Sequence, residues 1–335
     1  MRRLGGYLLI STSMVLSSNA SAYDLSMEVF EDEQMAMLKS AETSSDPTLL
    51  MQAGELLINE AMMQENADHG LSYLKKVGET GNLEAMLYVA DYYYSDEQYG
   101  KSLAWYHKAE PSKDPYTLYS LGVMYFDGEG TEVDYKKGNQ YYRAAAEAGY
   151  SDAMYQLGFS YNDGLGVKQD LKKALYWLEK SAELGDASGM YNTGVAYLNG
   201  EGVAIDCATA IKWFTQAIET DEHARSYAKM GDIYYYPKYK KSCGLKKTDY
   251  KKSLPYFTEA ANLGDSYSQY MVGYSYRNGH GTWSDFTKAL AWFEVAEEYG
   301  DPDAAKEIED VKRYMSTEQI AEANTLKDKL LEEIW

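Results

Sequence analysis

A small residue recurs along this chain at Gly54, Ala90, Gly122, Gly158, Gly194, Gly231 and Gly273, separated by 36, 32, 36, 36, 37 and 42 residues. A second follows sixteen positions later at Gly70, Gly138, Ala174, Ala210 and Ala289, with the interval altered at Ser102 and Ser253. Three residues further stands an aromatic each time: Tyr73, Trp105, Tyr141, Trp177, Trp213, Tyr256 and Trp292. Four residues ahead of the small position lies a helix-capping type, at Asn66, Gln98, Asp134, Asp170, Asp206, Asp249 and Asp285. Only Gln98 is a poor N-cap. Four columns in register over seven units constrain the chain to a stack of like units, because one unit this short cannot bury its own apolar stripe.

Residues 152–186 show what a unit is. Tyr155, Leu157, Gly158 and Tyr161 follow helical apolar spacing, and Asn162-Asp163-Gly164-Leu165-Gly166 stops that helix where two glycines allow positive φ. Asp170 caps a second helix whose buried face carries Ala174, Trp177 and Leu178, and Gly185 ends it.

The pattern LGxxYxxGxGVxxDxxKAxxWxxKAxxxG resembles the Sel1-like repeat, a relative of the tetratricopeptide repeat, over about residues 47–301. It is strongest in LGFSYNDGLGVKQDLKKALYWLEKSA and VGYSYRNGHGTWSDFTKALAWFEVA. The resemblance implies an all-α, right-handed α-solenoid of about seven helix-turn-helix repeats with helical caps. The repeats fall near 47–82, 83–113, 114–149, 150–185, 186–221, 222–264 and 265–301. It also implies a protein-binding scaffold, since members of the family act in envelope signalling, secretion or motility machinery and host interaction. It is nearly silent on chemistry, although some cysteine-rich members are linked to β-lactam binding or hydrolysis.

The ends read differently. Arg2 and Arg3 precede an apolar run through Leu8-Leu9-Ile10 and Val15-Leu16, then Ala20-Ser21-Ala22, the pattern of a signal peptide over 1–22. The expected mature chain begins near Tyr23 and is periplasmic or secreted, without stable membrane insertion, because the apolar run is too short for a span. Residues 23–46 form an N-terminal capping helix with Met27, Phe30, Met35 and Leu38 on its apolar face, and 302–335 a C-terminal cap with a Ser316–Gln319 capping box.

Losing Arg2 and Arg3 moves the formal charge from −20 to −22. Such a chain repels nucleic acid, whose binding rests on Lys and Arg neutralising phosphate, and would attract a basic protein partner; the alternative is that the acids only keep an exported solenoid soluble. Cys207 opens the second helix of repeat 5 and Cys243 lies in the enlarged loop of repeat 6. In an oxidising compartment they are candidates for a disulfide, with two free thiols as the alternative.

Catalytic constellations do not accumulate. His69, His107, His223 and His280 lack metal-ligand spacing with one another, and His280 is expected in solvent within its loop. The paired glycines recur with the repeat and read as turns, so neither cofactor nor metal is expected. SxxK occurs at Ser72–Lys75 and Ser226–Lys229, without the SDN or KTG that a β-lactamase-like or cell-wall amide hydrolase would carry. The chain is read as non-catalytic.

Recognition falls to surface. Tyr119, Tyr155, Tyr191 and Tyr270 stand three residues before their anchors, a candidate ladder along the first helices, which the resemblance places on the concave side. Tyrosine offers large contact area at low entropic cost and a hydroxyl besides. The irregular repeat-6 loop, with Tyr239, Lys240 and Lys241, is a second candidate contact. The alternatives are packing between repeats for the tyrosines and a glycan or peptidoglycan ligand for the groove.

Overall fold

A computed structural model describes residue 30, residues 32–60 and residues 64–334. The expected signal peptide over 1–22, Met27 of the expected N-terminal cap, and Met62-Met63, which stand where repeat 1 has no GxG loop, lie outside the described residues. Every regular element among those described is helical. Two compact units divide the chain, one ending at Glu97 and the other beginning at Gln98, so the division falls inside repeat 2.

The first unit contains α1 (Asp32–Ala41), the paired α2 (Pro47–Glu60) and α3 (Gln64–Gly78), and α4 (Leu83–Ser95). Leu38 and Ala41 of α1 are buried. Asn66 departs from the expected column: α3 begins at Gln64, so Asn66 sits inside its first turn, buried, and is no N-cap.

The second unit opens with α5 (Tyr99–Ala109) and continues as antiparallel pairs. They are α6 (Pro115–Asp127) with α7 (Tyr135–Glu147), α8 (Ser151–Asp163) with α9 (Leu171–Glu183), and α10 (Ala187–Asn199) with α11 (Cys207–Asp221). Then come α12 (Ala224–Tyr235) with α13 (Tyr250–Asn262), and α14 (Ser266–Asn278) with α15 (Phe286–Glu298). Side chains start most helices. Asp134, Asp170, Asp206, Asp249 and Asp285 each accept from a first-turn amide of the second helix, whereas Gln98 makes no such bond. Each cap contributes about 1 kcal/mol.

The glycines have two separate reasons. At the anchors, the residue twenty positions later (twenty-six in repeat 6) lies where a Cβ would stand: a Cβ on Gly194 would be 2.7 Å from Phe214, and one on Gly273 2.8 Å from Phe293. This column, which also holds Leu74, Tyr142, Leu178 and Phe257, is the buried interior of each hairpin. It is one residue beyond the expected aromatic column, where Tyr141, Trp177, Trp213 and Tyr256 are only half-buried. In the loops, Gly164 caps α8 at φ 75°, while Gly166 at φ 67° lies over the preceding repeat, so close that a Cβ would be 2.5 Å from Tyr135 O. Gly130, Gly202 and Gly281 repeat that approach on the carbonyls of Tyr99, Leu171 and Tyr250. The GxG loop is thus both a helix stop and a stacking contact.

Pro255 does not delay its helix, since α13 starts directly after Asp249 and carries the proline inside. After the last repeat come α16 (Ala304–Lys312) and α17 (Thr317–Glu333), with Ser316 and Gln319 forming the capping box. Ile308, Val311, Ile320 and Ala323 cover Ala289, Leu290 and Phe293 of α15, and ion pairs Arg277–Glu307 and Lys312–Glu294 tie α16 to the last repeat.

Candidate protein-binding surface

Tyr119, Tyr155, Tyr191 and Tyr270 occupy equivalent places on α6, α8, α10 and α14, and all four are half-buried. Each leans on the next repeat or hairpin. The Tyr119 ring lies 5.0 Å from Tyr150 and 5.8 Å from Tyr142; Tyr191 lies 5.9 Å from Phe214 and 5.2 Å from His223; Tyr270 lies 5.6 Å from Phe293. Asn192 Nδ2 donates to Tyr155 Oη at 3.5 Å. Burial pushes the Tyr119, Tyr191 and Tyr270 phenols above the usual value, so these hydroxyls stay neutral. One turn along α8, Phe159 is 42% exposed, which adds open apolar area beside the row. The tyrosines are therefore partly packing and partly surface.

Repeat 6 breaks the row, because Ala228 takes the tyrosine position. Beside it stands a polar network that spacing did not reveal. Lys229 Nζ pairs with Asp232 Oδ2 at 2.9 Å, Tyr267 Oη donates to Asp232 Oδ1 at 2.8 Å, and Tyr236 Oη lies 2.9 Å from Tyr267 Oη. Asp232 is 7% exposed, so it needs these partners; an unpaired buried carboxylate is strongly destabilising. Burial lowers the Lys229 pKa and Asp232 more than offsets it; Tyr191 and Tyr239 both lie near enough to act on the same charge. Tyr191 of the row and Tyr239 of the repeat-6 loop also pack against one buried cluster that includes Phe214 and Ile233. A Lys one turn from a buried Asp was the available signal.

The loop itself is fastened. Cys207 and Cys243 form a disulfide with a Cα–Cα distance of 5.0 Å, joining the start of α11 to the loop. Tyr239, Cys243 and Leu245 pack against Met230, Ile233 and Cys207, and Leu245 N donates to Lys240 O at 2.9 Å. Lys240 is half-buried and Lys241 exposed.

Both SxxK serines are spent on their own helices. Ser72 Oγ donates to His69 O at 2.7 Å; Ser226 is fully buried, with Oγ 3.0 Å from His223 Nδ1, and its amide donates to the same nitrogen. His280 corrects the solvent expectation: its ring stacks on Tyr250 at 4.2 Å and its Nδ1 lies 2.8 Å from Tyr235 Oη. Among the described residues, no group of three or more His, Cys, Asp or Glu is placed to hold a metal ion, and no helix is long and apolar enough to cross a membrane.

Comparison with known proteins agrees with this architecture. The Sel1 repeat family matches residues 83–110, 115–150, 151–186, 187–219, 224–265 and 266–301; the α2/α3 pair lies outside the matched segments. A solved Sel1 repeat protein from Oxalobacter formigenes is 26% identical, covers 67% of this chain and 86% of its own, and superposes with TM-score 0.60. A protective antigen present in uropathogenic Escherichia coli strains, displaying an SLR fold, is 24% identical. It covers 90% of this chain and 73% of its own, at TM-score 0.54, a likeness of fold. With its repeats matched over more than half its length, the chain belongs to the Sel1 repeat family.

Proposed function

We propose that this protein is an exported, non-catalytic scaffold that binds another protein through the first-helix surface of repeats 3 to 7. The observation that carries the reading is the row Tyr119, Tyr155, Tyr191 and Tyr270, all half-buried at equivalent places on their helices, with the Tyr119, Tyr191 and Tyr270 rings packed on neighbouring aromatics and Tyr155 bonded to Asn192. Aromatic side chains whose rotamers are already held by packing bind at little further entropic cost. Membership of the Sel1 repeat family, typically protein-interaction scaffolds, supports the same reading. Export is supported by the pattern of the first 22 residues and by the Cys207–Cys243 bond, which suits an oxidising compartment. The absence of catalysis is supported by both SxxK serines having hydroxyls committed to local hydrogen bonds.

The test is crosslinking of the tagged mature chain in its native envelope fraction, beside a Tyr155→Ala/Tyr191→Ala variant of unchanged helicity. One protein captured by the parent and lost by the variant supports the reading. The same protein captured equally by both moves the contact off the tyrosine row. Recovery of wall glycan in place of protein replaces the scaffold reading with glycan binding.

A further inference from the structure

Residues 236–252 hold seven lysines and one acid, in a chain whose formal charge is −20. The lysines are Lys238, Lys240, Lys241, Lys246, Lys247, Lys251 and Lys252, and all but Lys240 are exposed. Among the described residues, no carboxylate side chain pairs with any of them. Seven unneutralised like charges repel one another, so this stretch sits at an electrostatic cost that a bound anion would relieve.

The segment is also shaped. Pro237–Tyr239 forms a 3-10 turn, Cys243 N donates to Tyr239 O at 2.9 Å, and Asp249 N donates to Tyr234 O at 2.8 Å. The disulfide to Cys207 and the apolar contacts of Tyr239 and Leu245 hold it against repeats 5 and 6. Lys238 Nζ rests 4.8 Å from the Tyr239 ring centroid and 5.4 Å from that of Tyr236, and Lys252 Nζ 5.3 Å from that of Tyr234, which keeps two cations over aromatic surface. A preorganised set of donors loses less entropy on binding than a free loop.

We infer that this disulfide-pinned lysine loop is a docking site for a short acidic segment of a partner protein. Charge complementarity sets the sign, and the rest of the chain sets the size. Nucleic acid or an anionic membrane carries charge over distances well beyond a Debye length of about 8 Å, and would meet the surrounding acidic surface as well as the loop. A short run of Asp and Glu meets the loop alone. The inference does not rest on the tyrosine row.

The experiment is fluorescence anisotropy of a labelled oligoglutamate peptide against the intact mature chain. Single-stranded DNA and phosphatidylglycerol vesicles serve as competitors. The variants are Lys240→Glu/Lys241→Glu/Lys246→Glu/Lys247→Glu in the loop and, as a control of surface charge, Lys136→Glu/Lys172→Glu in other repeats. The expected result is salt-sensitive peptide binding, weakened about tenfold or more in the loop variant. It should be retained in the control and in Tyr155→Ala/Tyr191→Ala. Reduction of the Cys207–Cys243 bond should weaken it too, because the donors lose their frame. No peptide binding, equal loss in the control variant, or DNA or vesicles displacing the peptide at equal charge would each overturn the inference. Circular dichroism of each variant separates loss of binding from loss of fold.

Discussion

Arg143 Nη2 donates to Tyr161 Oη at 2.5 Å, from the second helix of one repeat to the first helix of the next. The same eighteen-residue reach recurs on either side: His107 Nε2 lies 2.9 Å from Tyr125 Oη, and Tyr197 Oη donates to Glu179 Oε1 at 2.8 Å. Three chemically different partners therefore serve one tyrosine column, and that column fastens neighbouring repeats to each other. Removing the hydroxyl in Tyr161→Phe is expected to cost about 1 kcal/mol in urea unfolding. A cycle with Arg143→Ala should show coupling of roughly 0.5 kcal/mol or more, and additive losses would mean the pair is not a strap.

Glycines that look alike in sequence should differ sharply in tolerance. Gly185 and Gly202 both have positive φ, at 91° and 75°. A Cβ on Gly185 would meet nothing within 4 Å, whereas one on Gly202 would run into the Leu171 carbonyl. Gly185→Ala is expected to lose about 1–2 kcal/mol from backbone strain alone. Gly202→Ala should lose roughly 1–3 kcal/mol beyond that, since the overlap is with main chain that cannot rotate away. Chemical denaturation of the two variants side by side decides it, and equal losses would remove the stacking role given to the second loop glycine.

Architecture was legible in the sequence because it is written in positions that tolerate few residue types. Asp170 and Gly164 are forced by a helix start and a helix stop, and each recurs in register. What spacing could not separate is adjacent positions on one helix: Trp177 and Leu178 both look buried, yet Leu178 is the one beneath Gly158. Nor could it foresee departures inside a repeat. The Lys229–Asp232–Tyr267 network appears at the one repeat where Ala228 leaves space, and it joins residues 35 apart in sequence. His280 was expected in solvent because its loop is exposed, and it is covered because Tyr250 of the preceding repeat reaches over it.

Cys207 and Cys243 close a loop across 36 residues. Loop-closure entropy assigns such a bond about 3–4 kcal/mol, an upper value where the reduced chain keeps structure. Cys207→Ser/Cys243→Ser is expected to unfold earlier in urea, with repeats 5 and 6 losing amide-exchange protection first. Intact mass before and after reduction and alkylation checks the bond itself. Two alkylated cysteines without reduction would show that the purified chain does not carry it.

His223 makes the stability of repeat 6 sensitive to acid. Its Nδ1 caps α12 by accepting from the Ser226 amide at 3.2 Å, which only a neutral ring can do. Burial, and then the nearby Arg225, lower the pKa below its ordinary 6.5, while Asp221 and Asp186 oppose them; the ring also faces Tyr191. The folded chain therefore binds this proton less readily than the unfolded one. The contribution is complete above about pH 6.5 and is lost as pH falls from there through the folded value. It is worth about 1 kcal/mol, the size of a helix cap. His280, also lowered by burial, acts in the same direction. Asn caps a helix without titrating, so His223→Asn should flatten the fall in thermal midpoint below pH 6.5, and His223→Asn/His280→Asn should flatten it further. A midpoint that falls just as steeply in both variants would assign the acid sensitivity to other groups.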